Sequence, residues 1–332
     1  MNSLAIIGAG SWGTALAIIL APRFPQVRLW VYEADLAERM RETRDNDIYL
    51  PGCQIPTNVE ITNDLGVALQ APDVLLSAVP SHLVRRLYQE MLPQLGDKTI
   101  FVSATKGLEV GSLLRSSEII SELVSPKFRP KVAAISGPTF AHEVGTGNPT
   151  ALVVASTDVE TAQCIQSQFA GPTFRLYTSS DPVGVEIGGS IKNVVAIGAG
   201  VAYGLGMGHN TMAALITRGL AEITRLAVAL GGDARTLSGL AGLGDLVLTC
   251  TGELSRNRAV GVELARGRKL AEITGSMRMV AEGIKTTEAA IELARRHSVE
   301  MPITEQMHQM LHFGLPPREA VRQLMERSLR SE

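Results

Sequence analysis

Cysteine is scarce in this chain: Cys53, Cys164 and Cys250 are odd in number and widely spaced over 332 residues. That excludes a disulfide framework and the paired spacings of a zinc site, and it suits reduced thiols in a cytoplasmic protein. A dominant charge is lacking as well. Lys and Arg total 31 against 33 Asp and Glu, a formal net charge of -2, which is no basic field for nucleic acid or an anionic membrane. Missing too are a basic region ahead of an apolar N-terminal core and any uninterrupted apolar run of about eighteen residues, the length a spanning helix needs. Internal repeats and low-complexity tracts are absent. The expectation is a soluble, cytoplasmic protein that is not embedded in a membrane and does not bind nucleic acid. What is present is ordinary globular composition, 45% hydrophobic and 19% charged, over a length sufficient for two domains.

The most informative stretch runs from Ile187 to Gly208, where Lys192 is the only charged residue among small and apolar neighbours. An ammonium buried without a partner either neutralises or finds a carboxylate, so this lysine is snorkelling to water or tuned for chemistry. Gly198, Ala199, Gly200, Ala202 and Gly204 give the stretch poor helix propensity, and a helix of that kind is held by close packing on several sides. Such packing leaves little room for snorkelling.

At the N-terminus, the apolar run Leu4–Ile7 ends in Gly8-Ala9-Gly10-Ser11-Trp12-Gly13 and an apolar helix follows from Thr14. This is the strand, turn and helix of a dinucleotide fold: Gly8 for the sharp turn, Gly10 for the approach of a pyrophosphate, Gly13 for helix against strand. Ser11 and Trp12 lie in the turn and are expected at the cofactor, although Trp12 could equally pack beneath it. A second strand is expected at Val27–Tyr32. Glu33 follows it, twenty residues after Gly13, where a carboxylate can accept from an adenosine ribose and favour NAD; Arg39, Arg41 or Arg44 could instead reach the 2'-phosphate of NADP.

Apolar runs at Val74–Val79, Thr99–Ser103, Val132–Ile135 and Ala151–Ala155 alternate with helix-like Val84–Leu95, Leu113–Val124 and Val159–Phe169. Alternation of this kind predicts a largely parallel sheet covered by helices, with ligands at the strand ends. Pro80-Ser81, the loop carrying Lys106, and Ser136-Gly137-Pro138-Thr139 are therefore expected to line one crevice. Lys106 is the one charged group among them, and its alternative is a solvated loop lysine.

After Thr178–Pro182 the strand pattern stops, dividing a dinucleotide-binding part, residues 1–181, from a helical part, residues 182–332. Asn210 is expected to cap a long helix, and Glu282–Arg296, Pro302–Phe313 and Pro317–Arg327 read as three shorter ones. Asp245 sits in a glycine-rich apolar segment and needs a partner that Lys192 could supply, unless it caps a helix. Ser255-Arg256-Asn257-Arg258 opens the next helix and can hold a phosphate, or it is simply a solvated helix start.

GAGSWGTALA, VPSH, ATKGLE, SGPTFA, GGSIKNVVAIGAG, ITRGLAE, AGLGDLVLTCT, SRNR, VAEG and EMPITE, in that order and over nearly the whole chain, resemble the bacterial NAD(P)-dependent sn-glycerol-3-phosphate dehydrogenases. The resemblance implies an α/β Rossmann-type doubly wound sheet followed by an all-helical domain like that of 6-phosphogluconate dehydrogenase. It also implies NAD or NADP as cofactor, dihydroxyacetone phosphate and sn-glycerol 3-phosphate as substrates, glycerophospholipid synthesis as the setting, and a homodimer. Carried onto these positions, it makes Lys192 the proton acceptor, and Lys106 a contact to both cofactor and substrate. Gly137, Thr139, Asp245, Ser255, Arg256 and Asn257 complete the substrate site. Ser11, Trp12, Tyr32, Ala141, Arg256, Val280 and Glu282 fall at the cofactor, with Tyr32 standing where the family often has a basic residue or histidine. Thr249 resembles a hydroxyl that related eukaryotic enzymes place at the reacting carbon. Two rivals remain at this level: another two-domain hydroxy-acid dehydrogenase, and a nucleotide-sensing protein without turnover, which would need none of Lys106, Lys192 and Asp245.

Overall fold

The computed structural model describes residues 1–277 and 281–328. Eight strands form one sheet: β1 (Ser3–Ile7), β2 (Gln26–Trp30), β3 (Val59–Thr62), β4 (Val74–Ser77), β5 (Ile100–Ser103), β6 (Lys131–Ser136), β7 (Thr150–Ala155) and β8 (Phe174–Ser179). Their order is β3-β2-β1-β4-β5-β6-β7-β8. The first six run parallel, whereas β7 turns antiparallel against β6 and carries β8 parallel to itself. The order in which strands are added reverses between β1 and β4, which stay parallel, and such a switch opens a crevice at the carboxyl ends of the strands. Separate apolar layers cover the two faces, one built around Leu16, Leu29 and Phe169, the other around Tyr88, Phe101 and Ile120.

Several expected elements are shorter or differently placed. The strands anticipated to reach Tyr32 and Val79 end at Trp30 and Ser77, because the chain bends there into the crevice loops. The helix anticipated from Leu113 begins at Ser116. Ahead of it residues 107–115 form a short hairpin strap bridged at Leu108 and Arg115, with Leu108 and Leu113 buried in the apolar core of the helical part. Asn210 does not cap: the helix His209–Ala229 starts after Gly208, and Asn210 lies exposed within its first turn. The last described helix, Pro317–Met325, stops two residues short of the expected Arg327.

The central helix, Pro182–Gly204, opens the helical part. Asp181 caps it, accepting from the Gly184 amide at 2.8 Å, and Pro182 stands in its first turn, where a missing N–H costs nothing. Every residue from Gly184 to Ala202 is buried. By length and composition this helix could cross a membrane, but its apolar window is wholly buried inside the protein, and Glu186 and Lys192 interrupt it. Its glycines allow close crossing. A Cβ on Gly200 would stand 1.9 Å from the Arg258 carbonyl, so the helix Arg256–Ala265 packs backbone to backbone against the central one. That contact brings the start of the second helix to the level of Lys192.

Candidate active site

A cleft of about 450 Å³ lies between the strand ends and the helical part. Its cofactor-side wall is the glycine turn. Gly8 has φ +106°, and a Cβ on Gly13 would meet the Gly8 carbonyl at 1.8 Å, so turn and helix can approach only as glycines. A Cβ on Gly10, by contrast, meets nothing within 4 Å, because it would point into the cleft that Gly10, Ser11 and Trp12 line. That open cradle, at a helix N-terminus, fits a dinucleotide pyrophosphate. The indole N–H of Trp12 is buried without a hydrogen-bond partner among the described residues. Asn46, wholly buried, locks the turn from below by donating to the Ala9 carbonyl and to Thr14 Oγ1, both at 2.8 Å.

Of the nucleotide-selecting candidates, Tyr32 is 68% exposed, with its ring edge-on to Trp30. Glu33 is half-buried and accepts from the Tyr49 hydroxyl at 2.8 Å. Both stand outside the lining of the cleft, just past β2. Arg39 is paired with Asp35 and Asp47, and Arg44 donates to the carbonyls of Ile55, Pro56 and Val59; each therefore has a structural partner.

The opposite wall holds an ionic cluster. Lys106, at the end of β5, donates to the Gly137 carbonyl at 3.0 Å, to Thr139 Oγ1 at 3.2 Å and to Asp245 Oδ2 at 2.8 Å. Lys192 donates to the other Asp245 oxygen, Oδ1, and to Thr249 Oγ1 at 2.9 Å. Asp245 is wholly buried and opens the helix Asp245–Thr251, directly after the π-helical turn Leu240–Gly244. Turns of this type recur at functional sites. Thr249 follows one turn later, its hydroxyl donating to the Asp245 carbonyl at 2.6 Å. Lys192 is 4% exposed, which ends the snorkelling alternative. Burial dominates its titration, lowering it from 10.5 to about 7; Asp245 pulls upward and Lys106 pushes further down.

Ser255 caps the helix Arg256–Ala265 by accepting from the Arg258 amide at 3.2 Å. Arg256 reaches the cleft with no ion-pair partner among the described residues, whereas Arg258 lies over the Tyr203 ring at 4.4 Å. Asn257 is tied at both ends: its Nδ2 donates to Asn193 Oδ1 and its Oδ1 accepts from the Gly283 amide, each at 3.0 Å. Ala141 and Glu282 also line the cleft. Glu282 accepts from Ser81 Oγ at 2.9 Å, and burial pushes its carboxyl up against the opposing pull of Ser81, Arg256 and Lys285. Val280 lies outside the described residues.

Thus Lys106, Thr139, Lys192, Thr249, Ser255, Arg256 and Asn257 converge on the cleft that the glycine turn opens, while Gly137 and Asp245 support the two lysines from behind. Asn193, Phe140 and Pro80 share the lining, whereas Ser81, expected there with Pro80, stands just outside it and reaches the site through Glu282. Asn193 had one available signal, being the only polar side chain besides Lys192 between Ile191 and Ala202.

A largely parallel sheet with a glycine-turn cradle, facing a helical part that holds a buried lysine whose titration burial lowers, defines a nucleotide-dependent oxidoreductase of the two-domain kind. The model of the NAD-dependent glycerol-3-phosphate dehydrogenase N-terminus matches residues 3–162, and that of the C-terminus matches residues 181–322. A glycerol-3-phosphate dehydrogenase [NAD(P)+] of Koribacter versatilis (strain Ellin345) is 56% identical, over 100% of this chain and 99% of that protein. One of the same name from Geobacter sp. (strain M21) is 53% identical over 100% and 99%. A solved structure of glycerol-3-phosphate dehydrogenase from Coxiella burnetii superposes with a TM-score of 0.94 at 41% identity, covering 98% of this chain and 99% of that one. The chain belongs to the NAD-dependent glycerol-3-phosphate dehydrogenase family.

Proposed function

We propose that this chain interconverts dihydroxyacetone phosphate and sn-glycerol 3-phosphate with NAD or NADP, Lys192 moving the proton. The observation that carries the reading is Lys192 itself, a buried lysine tied to Asp245 and Thr249 at the wall of the cleft that opens on the glycine turn. When bound, the dinucleotide supplies or accepts the hydride. An ammonium has three N–H groups; Asp245 and Thr249 take two from Lys192, leaving one for the carbonyl oxygen of the ketone. As free amine, Lys192 takes that proton back from the alcohol, and titration at about 7 keeps both forms accessible near neutrality. Lys106, fixed by Gly137, Thr139 and Asp245, places a second positive charge beside the same site, where it stabilises negative charge developing on oxygen.

Ser255, Arg256 and Asn257 hold the substrate phosphate at the helix start, with Gly137 and Thr139 on its other side. Ser11, Trp12, Ala141 and Glu282 serve the nicotinamide nucleotide, and Tyr32 and Glu33 its adenosine end. Residues 1–181 bind the dinucleotide and residues 182–332 supply the catalytic helix. A cytoplasmic homodimer feeding glycerophospholipid synthesis is the setting proposed. The test is oxidation of NADH and of NADPH, followed by absorbance, with dihydroxyacetone phosphate and with 2-keto acids. Turnover of the triose phosphate is expected; turnover of keto acids alone assigns a different dehydrogenase, and no turnover assigns a nucleotide sensor.

A further inference from the structure

Lys106 sits on a loop at the end of β5, yet its charge must meet groups of the helical part with ångström accuracy. Its own side chain supplies three contacts. What holds its backbone comes from the central helix, two residues before Lys192. Ser190, 1% exposed, donates its hydroxyl hydrogen to the Glu186 carbonyl one turn back at 2.7 Å, which leaves an oxygen lone pair fixed in direction. That oxygen accepts from the Gly107 amide at 2.9 Å, and Gly107 is the residue next to Lys106. The same helical turn grips the far end of the strap. The Glu186 carboxylate accepts from Arg115 Nη1 at 2.6 Å and from the Ser117 amide at 3.0 Å. Between the two anchors, Leu108 and Leu113 are buried in the helical core.

We propose that Ser190 is a positioning residue for Lys106: by holding the Gly107 amide to the helix that carries Lys192, it sets where the Lys106 ammonium stands relative to Asp245 and the reacting oxygen. The contacts close into a ring, from Ser190 through Gly107 to Lys106, across Asp245 to Lys192, and back along the helix to Ser190. A ring of this kind transmits a defect. Without the hydroxyl, the Gly107 amide loses its partner, the loop relaxes, and the Lys106–Asp245 contact lengthens. Asp245 then serves Lys192 more fully, and the repulsion between the two lysines falls. Both effects favour protonated Lys192; Cys250, close to the same lysine, is a thiol whose titration burial pushes up, and Arg256, Glu282, His142 and Tyr49 line the cleft as well. This inference rests on the proposed reaction, so the wild-type assay comes first: failure to turn over dihydroxyacetone phosphate sinks the functional reading, and only with an active wild type does the following test bear on Ser190.

The experiment compares Ser190→Ala with the wild type in kcat, KM and the pH profile of glycerol 3-phosphate oxidation. Ser156→Ala is the control, since it removes a buried hydroxyl bonded to the Val132 carbonyl, remote from the strap. Expected for Ser190→Ala are a kcat/KM lowered about tenfold or more with dinucleotide binding within twofold, and a neutral limb displaced to higher pH by at least about half a unit. Ser156→Ala moves neither. Combined with Lys106→Met, Ser190→Ala should add little further loss, because both act through one ammonium. If Ser190→Ala does not fold, Ser190→Cys, whose sulfur accepts weakly, is read the same way with smaller displacements. Unchanged kcat/KM, an unmoved limb, or a loss fully additive with that of Lys106→Met overturns the proposal.

Discussion

Lys106 Nζ stands 2.8 Å from Asp245 Oδ2, a contact that spans 139 residues and joins the sheet to the helical part through one buried carboxylate. Lys192 occupies the other oxygen of that carboxylate, so Asp245 sets the charge of the pair. Replacing it with asparagine removes the attraction that opposes desolvation of Lys192 and leaves the Lys106 charge nearby. In Asp245→Asn the limb of glycerol 3-phosphate oxidation near pH 7 is expected to move to lower pH, opposite to the displacement expected for Ser190→Ala. A pH profile whose limb stays in place would remove Asp245 from control of the proton.

The same burial links Lys192 to stability. Unfolded, the lysine titrates at 10.5; folded, at about 7. Between those values the unfolded chain holds a proton that the folded one does not, so this residue's contribution to stability rises with pH by at most about 1.4 kcal/mol per unit. Below pH 7 both states are charged and the burial cost is fully present. The unfolding midpoint of the wild type, taken relative to Lys192→Met, should therefore climb from pH 7 to pH 9. A gap independent of pH would contradict the lowered titration.

Arg256 is proposed to act on the phosphate, at a distance from the carbonyl. Its guanidinium has no ion-pair partner among the described residues and faces the cleft beside the Ser255 cap. Arg256→Ala is expected to weaken dihydroxyacetone phosphate binding by about 1.5–3 kcal/mol, the range of a hydrogen bond to a charged group. Titration calorimetry that finds unchanged affinity would place the phosphate elsewhere.

Glu33 is the proposed determinant of nucleotide choice. Its carboxylate is held by the Tyr49 hydroxyl, which burial, reinforced by Glu33, raises to about 12 and so keeps a donor at any working pH. Glu33→Gln should relax discrimination against NADPH by removing repulsion of the 2'-phosphate. Identical NADH-to-NADPH selectivity in variant and wild type would exclude Glu33 from that role.

Much of this architecture is legible where local chemistry marks it. Pro302 at a helix start and Gly314, at φ +70°, past its end bound the helix Pro302–Phe313, and Val159–Phe169 and Glu282–Arg296 likewise lie where periodicity puts them. The turn at Gly8–Gly13 is readable because each glycine answers a steric demand. The short edge strand β3 has only four residues, Val-Glu-Ile-Thr, too few for a period. β8 alternates buried and exposed residues, but its place beside β7, and the reversal of both against β6, are decided by packing across the sheet. Asn210 has the right side chain for a cap, but the backbone turns one residue before His209, at Gly208. In the site, the isolation of Lys192 and Asp245 in apolar segments signals their pairing, since neither charge can stay buried alone. Asn46 and Ser190 give no such sign: a buried amide or hydroxyl reveals its partner only once loop and helix are brought together.

The role of Lys192 is tested most directly by the turnover of Lys192→Met on dihydroxyacetone phosphate with NADH. Methionine keeps length and apolar volume, and Asp245 retains Lys106 as its counter-ion, so the fold and NADH binding should persist. The expected result is a kcat lowered at least about 10²-fold, the low end for loss of general acid–base catalysis, with NADH affinity near that of the wild type. A Lys192→Met protein that folds, binds NADH and turns over at close to the wild-type rate would contradict it and leave Lys106 as the proton donor.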